Sequence, residues 1–324
     1  MTDPNPGPLG KARLAPLVCV FALLGAVPAA ADEPWPRSIE HATGTLSLAA
    51  PPQRIVSTSP SLTGTLLAID APLVATAAAA TGPLTDDSGF FTQWAGVAHD
   101  RGVAPLYRDL SFDIEALILA DPDLVVVSQT GGDSVLPFVP QIEAMGFPVL
   151  TLNYGVNAWE QLAATLGRVT GHEAQAQQVA ADFTDRARAA AARIAHPDGS
   201  VSIVSYNFFG TYGVSKPEGA QARVLAEMGF TVTGIPDSLR GAVQQSREFD
   251  FISHETLPQG ITGGSVFLLS GDADDVATFM ADPVLANVPA VQAGRVYALG
   301  PSSFRMDYYS GLAMIDTVAR QLAP

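Results

Sequence analysis

The chain has 324 residues, of which 48% are hydrophobic and 15% are charged, a length and composition that allow two modest globular domains. Its 32 acidic residues outnumber its 17 basic ones and give a formal net charge of −15 at pH 7. Such an acidic surface argues against nucleic acid and against anionic lipid as binding partners.

Residues 1–31 have the pattern of a secretory signal peptide. An apolar run over residues 14–27, too short to span a bilayer, follows two basic residues, and Ala29-x-Ala31 offers a small-residue cleavage site. The single cysteine, Cys19, lies in this run at "PLVC", which lacks the Leu-Ala-Gly spacing of a lipoprotein anchor. We therefore expect an exported periplasmic protein without a membrane anchor, whose mature part has neither a disulfide nor a thiolate metal site.

The segment "RIVSTSPSLTGTLLAID", residues 54–70, predicts a strand, a hydroxyl-rich turn and the start of a helix. Phosphate loops and nucleophile elbows share this order, but the segment has no lysine and the pattern G-x-S-x-G occurs nowhere in the chain. Two interpretations remain open. The hydroxyls, that of Ser59 among them, either cap the helix or face a bound anion together with free backbone amides.

Apolar, β-branched runs alternate with helical patterns along the rest of the chain. This alternation predicts α/β units whose sheets are covered on both faces. The predicted strands are "RIVS" (54–57), "PLVAT" (72–76), "DLVVVS" (123–128), "PVLTL" (148–152), "VSIVSY" (201–206), "FTVTG" (230–234), "SVFLLS" (265–270) and "RVYAL" (295–299).

One strongly helical segment separates the first four strands from the last four. From His172 to Ala195 there is no Gly or Pro, and apolar residues recur at steps of three and four, which places them on one stripe of a helix. The residues of the stripe are Ala176, Val179, Phe183, Ala187, Ala190 and Ile194. We expect an α/β fold of two lobes, with sheets flanked by helices: an N-terminal lobe (32–170) and a C-terminal lobe (197–324), joined by one long rigid helix (171–196).

The two halves also resemble each other weakly in their acidic residues. Glu115 follows "SFD" shortly before one predicted strand, and Glu255 follows "EFD" shortly before another. One acidic residue at the matching place in each lobe suits docking to a two-fold-symmetric partner. The alternative is that both glutamates are ordinary solvated helix residues.

Metal chemistry finds little support in the sequence. The five histidines are scattered, with neither H-x-H nor H-E-x-x-H, so no directly ligated metal is predicted. A glycosidase-type pair of carboxylates stays open, because 32 acidic residues allow many pairings.

The segment "ALGPSSFRMDYYSGLAMID", residues 298–316, places Arg305 just before a predicted helix. An arginine beside the positive end of a helix dipole is unfavourable unless an anion lies between them. An ordinary surface pair of Arg305 with Asp307 is the alternative.

Several segments together resemble one family. These are "IVSTSPSLTGTLLAIDAPLVAT", "FFTQWAGVAHDR", "SQTGGDS" and "NVPAVQAGRVYALGPSSFRMDYYS". They are similar to the periplasmic ferric-enterobactin-binding proteins of ABC importers, which belong to the class of binding proteins hinged by a single helix. The similarity extends over residues 53–319.

The resemblance implies a role for particular residues. Arg101, Arg247 and Arg305 match arginines that face the iron–catecholate complex in similar proteins, with Ser59 and Tyr308 in the same ligand site. Glu115 and Glu255 match glutamates at the lobe tips that dock to arginine pockets of the permease dimer. Where relatives carry a tryptophan-bearing loop, this chain has "YNFFGTYGV", and we expect its aromatic residues to replace that surface: Phe208, Phe209 and Tyr212.

The function that the resemblance implies is capture of a ferric catecholate siderophore and its delivery to an inner-membrane ABC importer. The siderophore itself holds the iron, so neither a cofactor nor a metal ligand from the protein is expected, and the protein is expected to be a monomer. Arginine suits a trianionic tris-catecholate, since its guanidinium stays charged, donates several hydrogen bonds and stacks on rings. The alternatives are a binding protein for haem, cobalamin or another siderophore, and a siderophore hydrolase.

Overall fold

A computed structural model of the chain describes residues 1–3, 33–208, 210–241 and 243–324. The apolar run and the cleavage site of the predicted signal peptide therefore lie outside the described residues. Residues Glu33–Pro324 form one compact unit with two α/β lobes. Within the described ranges, no helix combines the length and the apolar character needed to cross a membrane.

The N-terminal lobe is built on a five-stranded parallel sheet. An antiparallel hairpin of β1 (Arg37–His41) and β2 (Gly44–Leu48) precedes it. The strand order is β5-β4-β3-β6-β7, and the strands are β3 (Ile55–Ser57), β4 (Leu73–Thr76), β5 (Ala104–Pro105), β6 (Leu124–Ser128) and β7 (Val149–Leu152). Its helices are α1 (Pro60–Ala68), α2 (Thr92–Asp100), α3 (Ile114–Ala120), α4 (Val139–Ala144) and α5 (Trp159–Thr170). Every residue of β3, β6 and β7 is buried, as expected for a sheet covered on both faces.

Helix α6 (Glu173–Ala191) separates the two sheets along the chain. It has 19 residues, so it begins two residues later and ends five residues earlier than the expected helix of residues 171–196. The predicted stripe is confirmed for the five residues that lie in α6, whereas Ile194 lies beyond its end. Four of its residues are buried and the other two pack against the core: Ala176, Phe183, Ala187 and Ala190, with Val179 and Ile194.

The C-terminal lobe has a six-stranded mixed sheet of order β10-β11-β9-β8-β12-β13. Strands β8, β12 and β13 are parallel, whereas β9, β10 and β11 pair antiparallel. The strands are β8 (Val201–Phe208), β9 (Thr211–Ser215), β10 (Gln244–Gln245), β11 (Phe249–Phe251), β12 (Ser265–Leu268) and β13 (Val296–Ala298). The helices are α7 (Ala220–Glu227), α8 (Leu257–Gly260), α9 (Ala273–Ala281), α10 (Pro289–Gln292) and α11 (Tyr308–Gln321).

Seven of the eight predicted strands are confirmed, and "FTVTG" is wrong as a strand. Only Val232 of that segment makes a bridge, to Val201 at the start of β8. One side of β8 pairs with β9 and the other with β12, so no continuous edge is left for a further strand. Phe230 and Val232 are buried by packing.

Helix α11 follows the C-terminal sheet in the chain and packs against helices of the N-terminal lobe. It packs against α6 and also against α1 and α2 of the N-terminal lobe. The segment that leads into it, residues 299–307, therefore passes between the lobes. The carboxyl ends of β3, β6 and β7 face this passage, which is where α/β proteins bind their ligands.

Candidate functional site

Residues from both lobes line a cavity beside this passage. Its volume is about 120 Å³, below the 300–1,000 Å³ of pockets that enclose a drug-sized molecule. The N-terminal lobe contributes Ser61, Tyr154, Gly155, Asn157, Ala158 and Trp159; the C-terminal lobe contributes Ala220, Gln221, Glu248, Phe304, Arg305 and Met306.

Arg305 is the cation of this cavity. Its guanidinium carbon lies 4.8 Å from the centre of the Tyr154 ring and 5.7 Å from that of Phe304. No carboxylate among the described residues lies within ion-pair distance of it. The alternative of a surface pair with Asp307 is wrong, because Asp307 is buried and accepts a hydrogen bond from the Ser310 backbone N–H at 2.9 Å.

Aromatic rings surround Arg305. The Phe304 ring meets that of Phe91 edge to face at 5.5 Å and lies 6.2 Å from the Phe208 ring. The structure therefore places the Phe208 ring beside Phe304, which lines the cavity, and its contact with a ligand stays a prediction. Phe209, its neighbour in the predicted aromatic set, lies outside the described residues.

Arg247 lies in the loop before β11, next to the cavity residue Glu248, and its side chain is exposed. Burial raises the pKa of Glu248, while the backbone N–H of Ala220 and the charges of Arg223 and Arg247 lower it. Arg247 is thus close to the cavity wall, where its charge acts on a cleft carboxyl.

Arg101 lies elsewhere, which corrects its placement in the ligand site. Phe91, at the start of α2, contacts Phe304 in the cleft, whereas Arg101 follows the opposite end of the same helix. Its guanidinium lies 3.1 Å from the Asp70 carboxylate, in the connection that leads to the amino end of β4. The position and the ion pair both separate Arg101 from the carboxyl edge of the sheet, next to which Arg305 lies.

Ser59 also needs correction, since its side chain is fully buried and cannot reach a ligand. It occupies the N-cap position of α1, but its hydroxyl caps nothing. Instead it donates a hydrogen bond of 2.6 Å to the buried carboxylate of Asp133. The Ser59 hydroxyl therefore neither caps the helix nor faces an anion in the cleft.

Two further aromatic residues predicted for the ligand site make their hydrogen bond or ring stack away from Arg305, although the Tyr308 ring also meets that of the cavity residue Trp159 at 5.9 Å. The Tyr308 hydroxyl donates to Asp182 on α6 at 2.6 Å, so this residue ties α11 to the inter-lobe helix. The Tyr212 ring stacks on His254 at 4.8 Å and does not contact Arg305. Neither ring makes a cation–π contact with Arg305, and the place of both residues in the ligand site stays a prediction.

Glu115 and Glu255 are both exposed. Glu115 lies in the first turn of α3, whose N-cap residue Asp113 accepts hydrogen bonds from two backbone N–H groups. Glu255 lies in the turn before α8, where its own backbone N–H and the Ser253 hydroxyl lower its pKa. The aspartates of the matching "SFD" and "EFD" segments have different surroundings, however. Asp113 begins a helix, whereas Asp250 is buried in strand β11.

Sequence reasoning missed Tyr154 and Asp133. The Tyr154 hydroxyl donates to the Asp133 carboxylate at 2.6 Å, while its ring faces Arg305. Burial raises the pKa of Tyr154 to about 12, Arg305 lowers it, and Asp133 raises it. Asp133 belongs to "SQTGGDS", and both residues follow the carboxyl ends of strands, so the position of a polar residue after a buried strand was the available signal.

The described residues include no group of three His, Cys, Asp or Glu side chains that could hold a metal ion. The cleft offers charge and ring contacts: Arg305, which has no ion-pair partner among the described residues, the carboxyl group of Glu248, aromatic rings and hydrogen-bonding groups. Two α/β lobes that share such a cleft are typical of a solute-binding protein.

Comparison with known proteins identifies the family. Residues 55–302 match the family described as periplasmic binding protein, so the chain belongs to this family, whose members bind solutes and are not enzymes. The chain is 40% identical, over 94% of its length and 98% of the relative's, to the ferric enterobactin-binding periplasmic protein FepB of Escherichia coli O6:H1 (strain CFT073).

Solved structures agree with the fold. The crystal structure of holo-ViuP is similar with a TM-score of 0.80 at 34% identity, covering 90% of this chain and 97% of that one. The siderophore-binding protein BauB, bound to a complex of two acinetobactin molecules and ferric iron, matches with a TM-score of 0.61 at 15% identity. That match covers 88% of this chain and 98% of BauB and concerns the fold alone.

Proposed function

We propose that the protein captures a ferric siderophore of the catecholate type in the periplasm and delivers it to an inner-membrane ABC importer. The relative that is 40% identical is named a ferric enterobactin-binding periplasmic protein, which supports a ferric siderophore as the ligand. The observation that carries the proposal for this chain is Arg305, a cation that forms no ion pair with any described carboxylate and lies over an aromatic ring between the lobes.

The chemistry of the cleft matches that ligand. A tris-catecholate iron(III) complex is a trianion with flat aromatic faces. Arg305 offers charge and several N–H donors, Arg247 adds a second positive charge, and the rings of Phe304 and Phe208 offer stacking surfaces. Since a catecholate complex is larger than the 120 Å³ cavity, the ligand must extend beyond it into the open cleft.

Delivery is proposed to depend on Glu115 and Glu255. Each is exposed, each lies on a different lobe, and neither belongs to the cavity. Paired carboxylates on two lobes can dock to basic pockets related by two-fold symmetry on a permease dimer. A monomeric binding protein released by cleavage of residues 1–31 would fit this role.

Titration of the wild-type protein tests the proposed ligand. Ferric enterobactin, a linear ferric catecholate, a ferric hydroxamate and haem would each be added while intrinsic fluorescence is followed, since Trp159 lines the cavity. We expect saturable quenching with both catecholates and weaker binding of the uncharged hydroxamate complex. Tightest binding of haem or the hydroxamate would contradict the catecholate proposal.

Mass spectrometry of the recovered ligand separates a binding protein from a hydrolase. We expect the ferric enterobactin to return intact after prolonged incubation. Cleaved fragments would mean that the cleft performs hydrolysis.

A further inference from the structure

Asp133 is a buried carboxylate at the carboxyl edge of the N-terminal sheet. Only 5% of its surface is exposed, and it has no cationic partner among the described residues. It accepts hydrogen bonds from the Ser59 and Tyr154 hydroxyls at 2.6 Å each and from the Ser61 backbone N–H at 3.4 Å. Burying a carboxylate is costly, so its retention beside the cleft calls for a role.

The loop that carries Asp133 is fitted closely to Tyr154. Gly131 has φ +88°, and a Cβ atom there would lie 1.7 Å from the Tyr154 hydroxyl oxygen. Asn153, the residue before Tyr154, donates from its side-chain amide to Gln129 at 3.0 Å. The loops after β6 and β7 thus hold the Tyr154 ring in one place, as positioning groups do when their own partners are fixed.

The Tyr154 ring is in contact with Arg305, which belongs to the C-terminal lobe. A guanidinium that lies over a ring uses its face for the cation–π contact and keeps its N–H edges free for anionic oxygens. At neutral pH the Tyr154 hydroxyl stays protonated, since burial raises its pKa to about 12, and it therefore remains a donor to Asp133.

We propose that Tyr154 and Asp133 are positioning residues for Arg305: Asp133 holds the Tyr154 ring, and the ring holds the guanidinium where it meets the anionic oxygens of a ferric catecholate. The inference rests on the proposed function and adds residues to its site. Arg305 has no carboxylate partner in the described part of the chain, so the aromatic ring orients it without neutralising its charge. An acidic partner would orient it equally well but would cancel the charge that the ligand needs.

A double-mutant cycle tests this positioning. Tyr154→Leu should weaken ferric enterobactin binding about fivefold in the wild-type background, a loss in the range of one cation–π contact. In an Arg305→Ala background the same change should cost less than about twofold, because the group that the ring positions is already gone. A purely structural role for Tyr154 would give the same loss in both backgrounds.

Tyr154→Phe and Asp133→Asn keep the volume of the site and serve where Tyr154→Leu does not fold. Each should weaken binding by roughly two- to threefold, and again only when Arg305 is present. The matched control is Tyr206→Phe, whose hydroxyl donates to Asp282 at 2.7 Å in the C-terminal lobe without contacting Arg305. It should leave affinity unchanged.

Failure of the inference differs from failure of the proposed function. If the wild type binds ferric enterobactin and the cycles are additive, or Tyr206→Phe costs as much as Tyr154→Phe, then Tyr154 does not position Arg305. If the wild type binds no ferric catecholate at all, the proposed ligand is wrong and the inference is overturned with it.

Discussion

Arg305 and Asp307 lie two residues apart but have opposite surroundings. Arg305 points into the cleft with its charge unpaired, whereas Asp307 is buried at the N-terminus of α11. Burial raises the pKa of Asp307, and hydrogen bonds from Ser310 and Gln93 lower it in part. The folded protein therefore holds a proton on Asp307 more tightly than the unfolded chain does.

This shift predicts how stability depends on pH. Because the folded pKa is raised above its ordinary value of 3.8, the contribution of Asp307 to stability is lost as pH rises through the folded pKa. Asp307→Asn removes the buried charge, keeps a good N-cap residue, and supplies an N–H group for the Gln93 amide oxygen, which has no partner among the described residues. We expect its melting temperature at pH 7 to be roughly 2–4 °C above wild type.

Asp113→Asn is the matched control, since Asp113 is an exposed N-cap residue of α3 with the same type of hydrogen bonds. Thermal melts from pH 4 to pH 8 should show a flatter profile for Asp307→Asn and almost no change for Asp113→Asn. A less stable Asp307→Asn protein at pH 7 would mean that the carboxylate is stabilising where it lies.

The residue-level failures of sequence reasoning share one cause. The Ser59 hydroxyl donates to an aspartate 74 positions away, and the Tyr308 hydroxyl donates to one 126 positions away. Neither partner can be predicted from the neighbouring sequence. Arg305 was predictable because its signal is local: an arginine before a helix. Arg101 was assigned to the ligand site only because of the family resemblance. Its ion pair with Asp70 depends on how α1 and α2 pack, which the sequence does not show.

At the level of elements, α6 and α11 form the contact that ties the lobes together. Gly311 on α11 faces Phe183 on α6 so closely that a Cβ atom would lie 2.5 Å from the ring carbon Cε2. The Tyr308 ring lies near the same phenylalanine at 6.4 Å. The close packing of α11 on α6 thus depends on one residue without a side chain.

Gly311→Ala should therefore destabilise the protein although alanine favours helix formation by about 1 kcal/mol. Overpacking of this kind costs about 1–3 kcal/mol, measured as a loss in the free energy of unfolding by urea denaturation. Gly96→Ala in α2 is the control, since a Cβ atom there meets nothing within 4 Å. It should stabilise by up to about 1 kcal/mol, and equal effects of the two changes would contradict the packing described for Gly311.

Element type was predictable where periodicity was strong. The apolar stripe of α6 could be predicted because one covered face dictates the spacing of apolar residues. The continuous apolar runs of β6 and β7 could be predicted because these strands are covered on both faces. The hairpin of β8 and β9 was missed, since "YNFFGTYGV" reads as an aromatic loop. The prediction of "FTVTG" as a strand was wrong because β9 and β12 already pair with the two sides of β8. The sequence of a single segment does not reveal such competition between strands.

For the whole molecule, the proposed sites of capture and delivery lie on separate surfaces. The net charge is −15, yet the cleft presents Arg305, and the two candidate docking glutamates lie outside the cavity. Exposed carboxylates contribute little to folding, so their value would lie in contact with another protein.

Replacing Glu115 and Glu255 together by alanine should leave ferric enterobactin affinity and thermal stability nearly unchanged. Uptake into vesicles that contain the reconstituted importer should fall sharply, because two charge-assisted contacts are lost together. Charge reversal to lysine at both positions should reduce uptake further. If uptake survives while binding fails, the two glutamates belong to ligand capture and not to docking.

Equilibrium binding of ferric enterobactin to Arg305→Ala, followed by intrinsic fluorescence, tests the cleft assignment most directly. Hydrogen bonds to charged groups contribute roughly 1.5–3 kcal/mol each, so we expect affinity to fall about tenfold or more. Arg101→Ala removes the same side chain from the opposite edge of the sheet and should change affinity by less than about twofold. Equal affinities for wild type and Arg305→Ala, or an equal loss in Arg101→Ala, would contradict an anion site built around Arg305.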